Sequence, residues 1–180
     1  MALATAASPT KERTGVVTFK GNPMTLIGSE VKVGQKAPEF QVLAQDLSPV
    51  TLASSRGKTR LISVVTSLDT GICDIQTKRF NEEAAKFQNT AILTISADLP
   101  FAQKRWCGAA GVDKVQVLSD HKDVSFGAAY GVLIKELRLL SRAIFVVDAS
   151  DTLRYVEYVP EVASHPNYDA ALQAALQAAK

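Results

Sequence analysis

Cysteine is almost missing from this chain: 180 residues hold only Cys73 and Cys107. There is no C-x-x-C, and the two histidines, His121 and His165, lie far apart in polar stretches. That argues against a metal site and leaves both histidines as expected solvated surface residues. No apolar run approaches the ~18 residues that a membrane span needs. No block of like charge is long enough for a nucleic-acid footprint, since 20 Lys and Arg are interspersed with 18 Asp and Glu. Gly127 and Gly131 stand outside any G-x-G-x-x-G and read as helix punctuation rather than a phosphate loop. The first residues, M-A-L-A-T-A-A-S-P-T-K-E-R-T, lack a basic n-region and an apolar h-region. They do not read as a secretory signal, so the cytoplasm is the expected location. In such a reducing compartment two cysteines are reactive or inert rather than permanently bridged.

What is present fits one globular domain. Residues 1–15 are expected to be a disordered N-terminal segment, and 16–180 a single domain. Val16–Phe19 and Met24–Ile27 flank the turn-rich K-G-N-P and predict a hairpin. Short strands are predicted at Phe40–Leu43 and Ser48–Leu52. Leu61–Val65 and Ala91–Ser96 are short β-branched apolar runs and read as buried strands. Further strands are predicted at Val115–Leu118, Ala143–Val147 and Leu153–Val159, the last two joined antiparallel by the tight turn Asp148–Asp151. Helices are predicted at Asp74–Phe87, Phe101–Ala109, Val124–Tyr130 and Tyr168–Ala179, the last capped by Asn167. Strands alternating with helices imply a parallel core, made mixed by the terminal hairpin.

Cys73 stands out by its position. Residues 66–73, T-S-L-D-T-G-I-C, leave a strand and enter a helix. With Thr70 as N-cap, Gly71, Ile72 and Cys73 become the first three helical residues. The first turn offers N–H groups without intrahelical partners and the positive end of the helix dipole. Cysteines in such turns ionise more readily than free ones, and the thiolate is the nucleophile. Asp69 and Asp74 oppose this, and Lys78, Arg79 or an arginine brought in by folding would offset them. The competing reading is a small buried hydrophobe.

The segment S-L-D-T-G-I-C-D-I-Q-T-K-R-F-N-E-E-A resembles the active-site segment of the thiol peroxidases, the bacterial atypical two-cysteine peroxiredoxins. S-A-D-L-P-F-A-Q-K-R-W-C-G-A-A-G (96–111) resembles that family's resolving-cysteine segment. F-K-G-N-P-M-T-L-I-G, V-G-Q-K-A-P-E-F, L-S-D-H, A-A-Y-G-V, S-R-A-I-F-V-V-D and N-Y-D-A-A-L also fit, in order, across residues 16–179. The resemblance implies a thioredoxin fold, α/β with a mixed central sheet flanked by helices, and an N-terminal β-hairpin. It implies a peroxidase with Cys73 as peroxidatic cysteine and Cys107 as resolving cysteine, joined in a Cys73–Cys107 disulfide during turnover. Thr70 corresponds to the threonine that helps hold peroxide and thiolate, and Arg142 to the arginine beside the sulfur. The implied partners are a hydroperoxide, a thioredoxin-like reductant and a second copy of the chain as homodimer. No metal, flavin or haem is implied, because sulfur carries the redox chemistry. The alternative is a redox sensor that uses the same disulfide to regulate a partner. One residue departs from the family pattern P-x-x-x-T-x-x-C: Thr66 stands where the proline is usual.

Overall fold

The computed structural model describes residues 11–180. It opens with an antiparallel hairpin, β1 (Glu12–Phe19) and β2 (Asn22–Ile27). Lys20 and Gly21 form its tight turn, both at positive φ (51° and 79°), the geometry that matches strand twist in a two-residue hairpin. Of the segment expected to be disordered, residues 1–10 lie outside the described residues. Glu12 to Gly15 already belong to β1.

A larger sheet follows. Its strands are β3 (Gln41–Leu43), β4 (Pro49–Thr51), β5 (Thr59–Val64), β6 (Thr90–Ser96), β7 (Gln116–Ser119), β10 (Ala143–Val147) and β11 (Leu153–Tyr158). The intervening β8 (Leu133–Ile134) and β9 (Leu139–Leu140) belong to the hairpin's sheet. The helices are α1 (Gly71–Glu83), α2 (Pro100–Ala110), α3 (Ser125–Ala129) and α4 (Tyr168–Ala178). The large sheet runs β11-β10-β5-β6-β7-β3-β4, and the small one β1-β2-β8-β9.

The predicted elements are present with three differences. First, only β5, β6 and β7 are parallel, and β10 pairs antiparallel with β5. After β7 the chain crosses to the small sheet through α3, β8 and β9 and returns reversed. The N-terminal hairpin lies in the small sheet, while the later hairpin of β10 and β11 makes the main sheet mixed, as expected. Second, β8 and β9 are two residues each, too short for a hydrophobic period to mark them. Third, helix ends move. α1 starts at Gly71, as its N-cap Thr70 implies, but ends at Glu83 and tightens into a 3-10 turn over Ala84–Lys86. Val124, predicted helical, has φ of 46° and precedes α3. Gly131 does end that helix, at φ of 65°, where a side chain would be strained.

Side chains alternate across the sheet, as a pleated strand requires. In β5, Ile62 and Val64 join one core with Leu93, Ile95, Phe126, Tyr130 and Phe145. Leu61 and Val65 face the other, with Phe80 of α1, Ala171 of α4, and both cysteines. The aromatic stack of Phe126 on Tyr130, centroids 4.3 Å apart, fills the first core.

This topology places the chemistry. Loops leaving the C-terminal ends of parallel strands share one edge of the sheet, where α/β folds gather functional groups. The β5–α1 loop carrying Thr66 and Thr70 lies there, as does the β6–α2 loop carrying Asp98. Because β10 is antiparallel, its beginning lies at that same edge: Ala143 pairs with Val64. Arg142, one residue earlier, is thereby brought to the start of α1.

Candidate active site

Cys73 is fully buried in the first turn of α1. Arg142, 2% exposed, donates from Nη2 to its Sγ at 3.3 Å. The same guanidinium donates from Nη1 to Gln76 Oε1 at 2.7 Å and from Nε to the Val162 carbonyl at 2.9 Å. Gln76 is itself fixed, because its Nε2 donates to Ser63 Oγ at 2.8 Å. Two acceptors, Gln76 Oε1 and the Val162 carbonyl, thus hold the planar fork against the sulfur, a geometry that lysine's single ammonium cannot copy. Among the described residues no carboxylate forms an ion pair with Arg142. The guanidinium's contacts are the Cys73 sulfur and two neutral oxygens.

Thr70 is the residue before α1, in extended conformation, and its backbone serves as N-cap. Its hydroxyl does not cap the helix as the sequence suggests. Instead it donates to the Ser67 carbonyl at 2.9 Å. That fixes the rotamer and leaves oxygen lone pairs free to accept from an incoming hydroxyl. The α1 face that holds the site is marked by Cys73, Gln76, Thr77 and Phe80, all buried. Thr77 spends its hydroxyl on the Cys73 carbonyl at 2.9 Å.

A mostly apolar cavity of about 300 Å³ opens here, lined by Phe19, Thr66, Thr70, Ile72, Arg142 and Val162 among others. It suits a small ligand with one polar end. Thr66 is 4% exposed, and its Oγ1 has no hydrogen-bond partner. A larger cavity, about 590 Å³, is lined by Gln45, Asp46, Lys104, Asp113 and Cys107 among others. It does not include the residues around Cys73.

Cys107 therefore sits apart. It is a free thiol, as is Cys73, and Gln45 Nε2 contacts its Sγ at 3.3 Å. Burial pushes the Cys107 thiol up, only partly offset by the Gln45 amide. A buried, protonated sulfur is a weak nucleophile. So Cys73, Thr70 and Arg142 are brought together, while Cys107 shares the α1–α2 core but faces a different cavity. His165 is exposed, as expected, and its Nδ1 lies 2.7 Å from Tyr168 Oη. His121 is half-buried rather than solvated, with Nδ1 2.9 Å from Ser119 Oγ.

Gln76, Ser63 and Gln45 were not singled out by sequence reasoning. Gln76 did leave a trace. It lies three residues after Cys73 on the face that also carries Phe80, where a polar residue implies a buried partner.

The redoxin family model matches residues 32–172. Thiol peroxidase from Halalkalibacterium halodurans is 65% identical over 159 residues, covering 88% of this chain and 96% of that protein. Thiol peroxidase from Bacillus subtilis is 59% identical, covering 88% and 95%. A crystal structure of a peroxiredoxin-like protein from Aquifex aeolicus superposes with TM-score 0.85 at 38% identity, over 94% of this chain and 99% of that one. The fold and the thiol-bearing site already define a thioredoxin-fold redox protein. The chain belongs to the redoxin family and, within it, to the thiol peroxidases. It is a thiol-dependent peroxidase.

Proposed function

We propose that Cys73 is the peroxidatic cysteine, that Cys107 resolves it, and that Thr70 and Arg142 are catalytic residues of the first step. The observation that carries this reading is the Arg142 guanidinium on Cys73 Sγ at the edge of a small apolar cavity. Hydrogen peroxide or an organic hydroperoxide enters with its polar end toward Thr70 and Arg142. The Cys73 thiolate attacks the terminal oxygen. The O–O bond breaks, and the leaving oxygen departs as water or an alcohol after taking a proton. Cys73 becomes a sulfenic acid. Donors aimed at the developing oxygen charge lower the barrier. Thr70 Oγ1 accepts from the peroxide hydroxyl, and the Arg142 guanidinium faces the charge passing from sulfur to oxygen.

The thiol of Cys107 then displaces hydroxide from the sulfenic sulfur, releasing water and forming the Cys73–Cys107 disulfide. The two sulfurs lean on different donors, Arg142 and Gln45, so both contacts must break and both helix segments must unwind locally. Gly71 and Gly108 beside them ease that change. A thioredoxin-like dithiol restores both thiols through a mixed disulfide. The cycle belongs to a reducing compartment such as the cytoplasm. Among the described residues no helix is long and apolar enough to cross a membrane. Exposed Ile75 on α1, and Leu99 and Phe101 at the start of α2, support a homodimer formed through the face near the site.

Turnover tests the reading. Peroxide consumption with excess thioredoxin, or with a small dithiol, should be catalytic in the wild type and abolished in Cys73→Ser. Cys107→Ser should react once and then stall with thioredoxin. A single oxidation without turnover in the wild type would overturn the catalytic cycle and indicate a redox switch.

A further inference from the structure

One carboxylate outside the peroxide cavity joins the two redox segments. Asp98 lies in the β6–α2 loop. Its Oδ1 accepts from Ser67 Oγ at 2.7 Å, and its Oδ2 accepts from the Leu68 N–H at 2.8 Å. Ser67 in turn takes both the N–H and the hydroxyl of Thr70 on its carbonyl, at 3.1 and 2.9 Å. Thr70 is the N-cap of the helix that carries Cys73. On the other side, Ser96 Oγ donates to Asp98 Oδ2 at 2.7 Å and receives Gln103 Nε2 at 3.0 Å. Gln103 is fully buried in α2 and also donates to the Leu118 carbonyl at 2.8 Å. It lies four residues before Cys107, on the same helix face. A continuous chain of hydrogen bonds therefore runs from the N-cap of α1, through Asp98, to the first turn of α2, one turn before Cys107.

Asp98 is in no ion pair among the described residues. Its carboxylate is occupied by three neutral donors that all belong to this bridge. Hydrogen bonds to a charged group are stronger than neutral ones. The bridge also spans the two segments that must separate from their folded positions before the sulfurs can meet.

We propose that Asp98 is the positioning residue of a latch that keeps the two cysteine segments folded and so sets the rate of disulfide formation after peroxide attack. This rests on the assignment of Cys107 as resolving cysteine. The latch acts on a competition. The sulfenic acid at Cys73 either condenses with the Cys107 thiol, losing water, or meets a second hydroperoxide. In that case it takes one more oxygen to become a sulfinic acid, and water or alcohol leaves. While the latch holds, the second path is open. When it releases, the first wins.

The test is Asp98→Asn in the full chain. The amide keeps the volume, loses the charge, and replaces one acceptor by a donor that faces Ser67 or Leu68 and Ser96. Stopped-flow fluorescence of Trp106, beside Cys107, follows disulfide formation. Mass spectrometry after a range of hydrogen peroxide concentrations gives the sulfinic fraction at Cys73. Loss of about two charge-assisted bonds should raise the disulfide step roughly tenfold or more. The peroxide needed for half-maximal sulfinic acid should rise by the same factor. Asp148→Asn is the control, because Asp148 follows β10 at the opposite edge of the sheet. A general loss of stability there should leave the partition unchanged. Equal rates and equal sulfinic fractions in wild type and Asp98→Asn overturn the latch, as does a matching shift in Asp148→Asn. If the wild type forms no Cys73–Cys107 bond, the resolving assignment fails and the latch with it.

Discussion

Replacing Arg142 by methionine should separate its electrostatic work from its volume. The guanidinium makes three contacts: Cys73 Sγ at 3.3 Å, Gln76 Oε1 at 2.7 Å and the Val162 carbonyl at 2.9 Å. Only the first touches a reacting atom. Removing one preorganised donor at a site of developing charge costs roughly 10²–10³ in rate, or about 2.7–4 kcal/mol. The other two contacts report on stability. Methionine leaves Gln76 Oε1 and the Val162 carbonyl without this donor, at about 1–3 kcal/mol each. It also ends the desolvation of a charge that is 2% exposed, which works the other way. The net stability change should therefore be much smaller than the rate loss. Arg142→Lys keeps the charge but cannot reach from one nitrogen the three acceptors that Nε, Nη1 and Nη2 serve, so it should recover only part of the rate. The assay is rapid-quench mass spectrometry of Cys73 oxidation by limiting hydrogen peroxide at fixed pH. Urea titrations on the same samples show that the variants are folded. A folded Arg142→Met that oxidises within about threefold of wild type, against the loss expected for such a donor, would refute the reasoning.

Further outcomes follow from individual contacts. Gln76→Leu should slow Cys73 oxidation by about tenfold while leaving Arg142 in place, because a positioning hydrogen bond of ordinary strength is worth about 1 kcal/mol or somewhat more. Arg142→Met in the Gln76→Leu background should then cost less than it does alone, as residues acting as a unit require. Thr66→Val removes a buried hydroxyl with no partner, so Tm should rise by about 2–4 °C for each kcal/mol gained, measured by calorimetry. Gly108→Ala meets open space on a helix and gains about 1 kcal/mol of helix propensity. Stopped-flow should show slower disulfide formation, opposite to Asp98→Asn. Burial pushes the Asp148 carboxyl up, but donors from Thr152, Ser150 and Arg154 outweigh it and hold the group at about 2. Its folded value thus lies below its unfolded one, so its stabilisation is present above pH ~4 and lost as pH falls toward 2. The gap in urea midpoint between wild type and Asp148→Asn should close over that window.

The candidate site was legible in parts, and the parts differ physically. Cys73 could be found because a strand-to-helix junction is a local pattern, and Thr70 follows from the same junction as its N-cap. Arg142 could not be placed by local reasoning. Its approach depends on β10 running antiparallel to β5, and that depends on β8 and β9, whose two-residue length leaves no period in the sequence. Family resemblance supplied Arg142 where chain pattern did not. Thr70 is the N-cap that the junction implies, though its hydroxyl bonds the Ser67 carbonyl, three residues back, rather than an α1 N–H. Asp98 lay in plain view in S-A-D-L-P, but the partners that tie it to α1, Leu68 and Ser67, are 30 and 31 residues away. Only the parallel pairing of β5 with β6 brings those loops to one edge.

The most direct measurement is a peptide map of the fully reduced protein after about one equivalent of cumene hydroperoxide, quenched within seconds. Cys73→Ser and Cys107→Ser are mapped alongside it. A Cys73–Cys107 disulfide in the wild type and a sulfenic acid trapped at Cys73 in Cys107→Ser are the expected results. Free thiols, or oxidation indifferent to which cysteine remains, would contradict the assignment of Cys73 as the sulfur that meets the peroxide.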